Sequence, residues 1–171
     1  MAISLSRRLV VLTAVLSCAL PSVVEAKTYF TEVGGNPLGT DAQWTNYIRL
    51  ADLDADGDLD VIVPNCGGFF SNPQAQPLRI YRNDGAFQFS DATNAFLGMN
   101  VVAAVRVVAV GDIDRDGDLD LFLPSAAGEA DMLFVNAGQG QFSDEASVRL
   151  PGGGTKSHAA AARFGDVDGD G

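Results

Sequence analysis

The chain has 171 residues, of which 47% are hydrophobic and 19% charged, so it carries enough apolar material for a packed core and too much to be disordered. Its formal net charge is -11, and three short clusters, Asp52–Asp60, Asp112–Asp120 and Asp166–Asp170, hold 13 of the 22 acidic residues. Beyond Ala26 the remainder is close to neutral, and no basic patch is dense enough for nucleic acid, which excludes a nucleic-acid partner.

The N-terminus has the three-part plan of a secretory signal peptide over residues 1–26: Arg7 and Arg8, an apolar run Leu9–Leu20, and the small-residue exit Val24-Glu25-Ala26. The run is short for a membrane span, so none is expected after cleavage, and the product is expected to be secreted, extracellular or on the cell surface. A looser alternative is lipidation at Cys18 in Val15-Leu16-Ser17-Cys18, which would give a periplasmic or outer-membrane lipoprotein. Cleavage leaves Cys66 as the sole cysteine and permits no internal disulfide. A bound metal could take the place of a covalent staple.

From Lys27 to Gly171 the sequence repeats. Phe30-Thr31-Glu32, Phe89-Ser90-Asp91 and Phe142-Ser143-Asp144 share a pattern, and each precedes an aspartate cluster by 22, 23 and 24 residues. Two unrelated landmarks in step define repeats of 27–86, 87–139 and a truncated 140–171, the period of a propeller or array. Within a repeat the pattern is β. Tyr47–Leu50 and Arg106–Val110 lead into the aspartates, and Leu59–Val63 and Leu119–Leu123 leave them, ending at Pro64 and Pro124. Leu78–Arg82 and Met132–Val135 form the next strands. Asn83-Asp84-Gly85 and Asn136-Ala137-Gly138 are hairpin turns, closed by Phe87–Phe89 and Gly140–Phe142.

About four short strands per repeat, with no helical periodicity, describe an all-β chain of β-propeller blades: an incomplete propeller of roughly two and a half blades, expected to be a fragment of a longer chain. The first repeat carries an insertion, Asn65–Pro77, whose Phe69 and Phe70 are expected to fold back onto the blade.

The first cluster reads Asp-x-Asp-x-Asp-Gly-Asp-x-Asp: Asp52, Asp54, Asp56, Asp58 and Asp60. The second repeats it with Asp112, Asp114, Asp116, Asp118 and Asp120, and Asp166, Asp168 and Asp170 begin a third. Calcium (Ca2+) takes six to eight oxygens at about 2.3–2.6 Å in flexible geometry. Carboxylates at loop positions 1, 3 and 5 converge if the backbone curls. Gly57 and Gly117 at position 6 permit the sharp turn, the carbonyl of Asp58 or Asp118 supplies position 7, and Asp60 or Asp120 completes the shell.

Five crowded carboxylates repel without a cation. Zinc prefers His and Cys, and magnesium keeps its waters. An EF-hand needs an acid at position 12, where Val63 and Leu123 stand within strands. Metal-free Asx turns would explain one such loop more readily than three alike.

These residues resemble the FG-GAP/VCBS repeat family, which includes the integrin α-subunit propeller. Val110-Gly111-Asp112 through Leu123, Arg163-Phe164-Gly165-Asp166 through Gly171, and Tyr81-Arg82-Asn83-Asp84-Gly85 running to Phe89-Ser90-Asp91 carry the resemblance. It implies a propeller, usually of seven blades, with calcium in a turn between strands of each blade and the thirteen aspartates above as ligands. Leu50-Ala51 replaces the Phe-Gly pair in the first repeat.

Two functions are compatible with this plan. One is a calcium-stiffened scaffold for cell adhesion or ligand binding, whose partner is an extracellular protein or a glycan. The other is an extracellular carbohydrate-active lyase or hydrolase with catalytic residues outside this sequence. Within it no catalytic residue is assigned: His158 is the sole histidine and is expected to lie at the surface, and the aspartate pairs serve better as ligands than as acid and base.

Overall fold

The computed structural model describes residues 34–68, 70–154 and 156–169. The signal peptide at 1–26 with Cys18, the motif Phe30-Thr31-Glu32, Phe69 and Asp170 lie outside the described residues. The chain divides into two compact units between Gly35 and Asn36, and the second unit holds all the elements below.

In chain order these elements are β1 (Arg49–Ala51), β2 (Asp60–Val63), β3 (Cys66–Gly67), β4 (Gln74–Pro77), β5 (Arg79–Asn83), β6 (Phe89–Asp91), α1 (Thr93–Leu97), β7 (Val102–Ala103), β8 (Ala109–Gly111), β9 (Asp120–Leu123), β10 (Met132–Asn136), β11 (Phe142–Asp144) and α2 (Ala146–Arg149).

The fold is all-β. Two four-stranded antiparallel sheets, β1-β2-β5-β6 and β8-β9-β10-β11, share one plan, that of a propeller blade, and among the described residues no sheet closes into a barrel. Their registers correspond: Ala51 faces Asp60 as Gly111 faces Asp120, and Asn83 faces Phe89 as Asn136 faces Phe142. The Phe-Ser-Asp motifs are thus the outermost strands of the sheets that precede them. Beyond β11, which closes the second sheet, the described part of the third repeat forms no further strand; Lys156 makes one bridge to Ala130.

The central strands follow from composition. Asp60-Val61-Ile62-Val63 is β-branched after its first residue and wholly buried, as a strand covered on both faces should be. In β5, Ile80 is fully buried between partly exposed Arg79 and Tyr81, the alternation of a strand that lends one face to a core. That core lies between the two sheets. Ile62 and Ile80 of the first, with Leu78 just before β5, cluster with Leu121, Leu123 and Phe134 of the second and Val108 just before β8, and Phe96 and Leu97 of α1 join them. The Phe96 and Phe142 rings pack tilted, 6.3 Å apart. Gly140 has φ +70°, and a Cβ there would come within 2.6 Å of Phe96, so only glycine lets the ring lie on this turn.

Three features depart from the sequence expectation. The helices α1 and α2 are single turns, too short to show a periodicity. The strand-end aspartates start them: Asp91 Oδ1 accepts from Thr93 N and Oγ1 at 3.0 and 2.6 Å, and Asp144 Oδ1 from Ala146 N at 3.0 Å. The insertion after Pro64 builds a small sheet, β3-β4-β7, by pairing with Val102–Ala103 from beyond α1. Phe70 is 99% exposed and does not fold back onto the blade: it sits in a solvent-facing turn that the Ser71 N–H closes onto the Gly68 carbonyl at 3.2 Å.

Phe134 is fully buried at the centre of the shared core. Phe134→Ala is expected to cost about 3–5 kcal/mol in urea unfolding, with both blades lost in one transition. A cost below about 1.5 kcal/mol, or two separate transitions, would show that the blades do not share one core.

Candidate metal centre

Each aspartate loop is wound by its own side chains. Asp52 Oδ1 and Oδ2 accept the N–H groups of Asp56 and Gly57 at 3.2 and 3.0 Å, and Asp56 Oδ1 accepts Asp58 N at 2.9 Å. The second loop follows the same plan with one partner shifted by a residue: Asp112 accepts Arg115 N, at position 4 rather than 5, and Gly117 N at 2.7 and 3.0 Å, and Asp116 accepts Asp118 N at 2.9 Å. Gly57 and Gly117 have φ +96° and +99°, as their place in the turn requires. Position 4 is also left-handed: Ala55 has φ +60° and Arg115 φ +64°. A side chain there costs about 1–2 kcal/mol, which the first aspartate's grip on the loop sustains. The third loop has Gly169 at this position, φ +79°, with its N–H bonded to Asp166 Oδ1 at 2.8 Å.

The winding brings carboxylates together. One oxygen from each of Asp52, Asp54 and Asp56 lies within 4.8 Å of the others, and Asp112, Asp114 and Asp116 form the same group. Asp58 and Asp118 turn toward the hairpins, where their Oδ2 atoms lie 3.3 and 3.4 Å from the Cβ positions of Gly85 and Gly138. The third loop is described only through Gly169 and presents Asp166 and Asp168 as exposed side chains.

Asp60 and Asp120 are fully buried. Asp60 Oδ2 accepts Leu53 N at 2.9 Å and Oδ1 accepts Asn83 N at 2.9 Å; Asp120 accepts Ile113 N and Asn136 N, both at 2.8 Å. One carboxylate thereby joins the loop's second residue to the hairpin at the end of the third strand. An ionised carboxylate accepts about four hydrogen bonds, so each keeps lone pairs beyond these two.

Burial pushes the Asp60 carboxyl up to about 6; the two N–H donors oppose this, and the charges of Asp54 and Asp56 reinforce it. Asp120 is raised for the same reasons, with Asp114 and Asp116 as its acidic neighbours. Asp54 is raised by burial and by Asp56 and Asp52. Asp54 Oδ1 is sequestered from solvent without a hydrogen-bond partner.

An unsatisfied buried carboxylate oxygen, flanked by two more carboxylates and no nitrogen or sulfur donor, fits a hard divalent cation. Arginines distinguish the loops. Arg149 of α2 reaches Asp114 Oδ2 at 3.0 Å while also holding Glu145. In the first loop Arg82 pairs with Asp84 at 2.7 Å and acts on Asp54 only through its charge.

Sequence reasoning grouped the first three aspartates of each complete loop as the structure does. It read Asn83 and Asn136 only as turn residues, and Arg149 not at all. The recurrence of Asn83 and Asn136 at matching places was the available signal for the former; nothing local marks Arg149. His158 is exposed, its ring against Gly128.

Residues 69–123 match the family model described as FG-GAP-like repeat. The chain therefore carries an FG-GAP-like repeat, one that runs from the insertion through the whole second aspartate loop to the end of β9. No curated protein and no solved structure matches the chain.

The raised carboxyls set a pH dependence in metal-free protein. A carboxyl whose pKa is higher folded than unfolded adds stability at low pH, and that stability is lost as pH rises through the folded value. For Asp60 the window runs from the ordinary 3.8 to about 6. Metal-free protein is thus expected to have a higher urea midpoint at pH 4.5 than at pH 7. Asp60→Asn should flatten the difference; an unflattened difference would place its origin elsewhere.

Proposed function

We propose that this chain is a secreted or cell-surface calcium-binding propeller-repeat protein that serves as a scaffold for adhesion or ligand binding. The observation that carries the reading is the pair of loops with converging carboxylates, in the first of which Asp54 Oδ1 is buried and unpartnered. Asp52, Asp54 and Asp56 would hold one ion and Asp112, Asp114 and Asp116 another, with Asp60 and Asp120 offering spare lone pairs and Asp58 and Asp118 their carbonyls. Calcium supplies the positive charge that relieves carboxylate repulsion and ties each loop closed.

An extracellular setting suits weak sites. With calcium near millimolar and Kd of about 10⁻⁴–10⁻³ M, each site adds about 0.4–1.4 kcal/mol to stability. The signal-peptide pattern at residues 1–26 supports export. Among the described residues no helix is long and apolar enough to cross a membrane.

The inserted sheet supports a binding role. Exposed Phe70 stands at its tip, and Trp44, 66% exposed, is tied to its edge through Gln76 and Cys66. Exposed aromatics of this kind favour contact with an extracellular protein or glycan.

Calorimetry tests the metal reading. Asp54→Ala and Asp114→Ala should each remove about one bound calcium, and the first loop should fill first, because Arg149 competes for Asp114 in the second. Unchanged stoichiometry in both variants would refute the assignment. Chelator should lower the melting temperature of the wild type, and coincident melting curves would count equally against it.

A further inference from the structure

Leu53 stands between the first two aspartates of the first loop, and both sheets hold it. Its N–H donates to Asp60 Oδ2 at 2.9 Å, its side chain is buried in the shared core, and its carbonyl accepts a 2.8 Å hydrogen bond from Asn136 Nδ2. Asn136 ends β10 in the second sheet and is fully buried. Its Nδ2 also reaches Leu119 O at 3.3 Å, its Oδ1 accepts Gly138 N at 3.1 Å, and its main-chain N–H donates to Asp120 Oδ1 at 2.8 Å. The main chain of Asn136 therefore serves the loop of its own sheet, and its side chain reaches the loop of the other.

Asn83 is the matching residue of the first sheet. Its N–H bonds Asp60 Oδ1 at 2.9 Å and its Nδ2 bonds Leu59 O at 3.2 Å, both in its own sheet, and its Oδ1 is buried without a partner.

We propose that Asn136 is a positioning residue for the first aspartate loop, linking ion binding there to the packing of the second sheet; this rests on the calcium reading above. Asp52 and Asp54 are the immediate neighbours of Leu53 in the chain. Rotation of either peptide plane at Leu53 swings one of these carboxylates away from the other. With the N–H, the carbonyl and the side chain all held, both planes are set before an ion arrives. Buried partners that orient ligands in this way typically carry 10–100-fold in metal affinity. The coupling is reciprocal: an ion in the first loop strengthens the contact between the blades.

The test uses two parents, Asp114→Ala, which leaves the first loop, and Asp54→Ala, which leaves the second. Asn136→Ala is added to each, and calcium affinity is measured by calorimetry. In the Asp114→Ala parent Kd should rise about tenfold or more; in the Asp54→Ala parent it should change less than about threefold, since the main-chain bond to Asp120 survives. Asn83→Ala, although in the sheet of the first loop, should weaken that loop less than Asn136→Ala does. Equal weakening of both loops, or none in the first, would overturn the proposal and leave the calcium reading intact. A parent Asp114→Ala protein that binds no calcium would overturn both. Should Asn136→Ala fail to fold, the Asn136 side-chain amide resonances of the Asp114→Ala parent decide instead: they should shift as calcium fills the first loop, and fixed resonances would refute the linkage.

Discussion

A carboxylate out of water ties each blade together. Asp60 and Asp120 begin the second strand of their sheets, and each accepts one N–H from the aspartate loop before it and one from the hairpin after it. Burying an ionised group costs several kcal/mol unless its bonds are made. Here loop, strand and hairpin must all be in place before the bonds exist. Burial raises the Asp60 carboxyl, the two N–H donors offset only part of that rise, and the charges of Asp54 and Asp56 add to it. A cation drawn to the adjacent carboxylates would act against the same deficit, so structural clamp and candidate metal site form one electrostatic arrangement.

The blades are similar but not interchangeable. At the matching place in the helix after the fourth strand, the first blade has Phe96 and the second Arg149. Phe96 enters the core between the sheets and closes over Gly140. Arg149 remains partly exposed and turns to Asp114. It also lines an open apolar groove of about 500 Å³ with Ile113, Phe122, Leu133, Leu150 and Phe164. Phe164, from the third repeat, already lies against Gly111 and Phe122 on this face. The first blade thus spends its helix on packing, whereas the second uses its helix to offset charge in its own loop.

Much of the fold was legible because the signals were local and repeated. The short β-like runs Leu78–Arg82 and Met132–Val135, the apolar run after Asp60 and the Asn-x-Gly turns placed the strands within a few residues. The convergence of Asp52, Asp54 and Asp56 followed from spacing and a glycine. The pairing of β4 with β7 was not legible, since its partners are separated by two strands and a helix. Nor was the outward course of Phe70, because nothing in an aromatic pair announces which way the loop carrying it will turn.

The sequence alone determined the repeat, because one pattern recurs along the chain, and with it the β class, the strand groups and the grouping of carboxylates at positions 1, 3 and 5, which depend on residues close to one another in the chain. Only the tertiary structure decided which neighbours each loop would have. The reach of Asn136 to the carbonyl of Leu53 spans 83 residues, and that of Arg149 to Asp114 spans 35. Such contacts depend on how two sheets stack and where a one-turn helix ends, and both are settled by packing the shared core rather than by any local pattern.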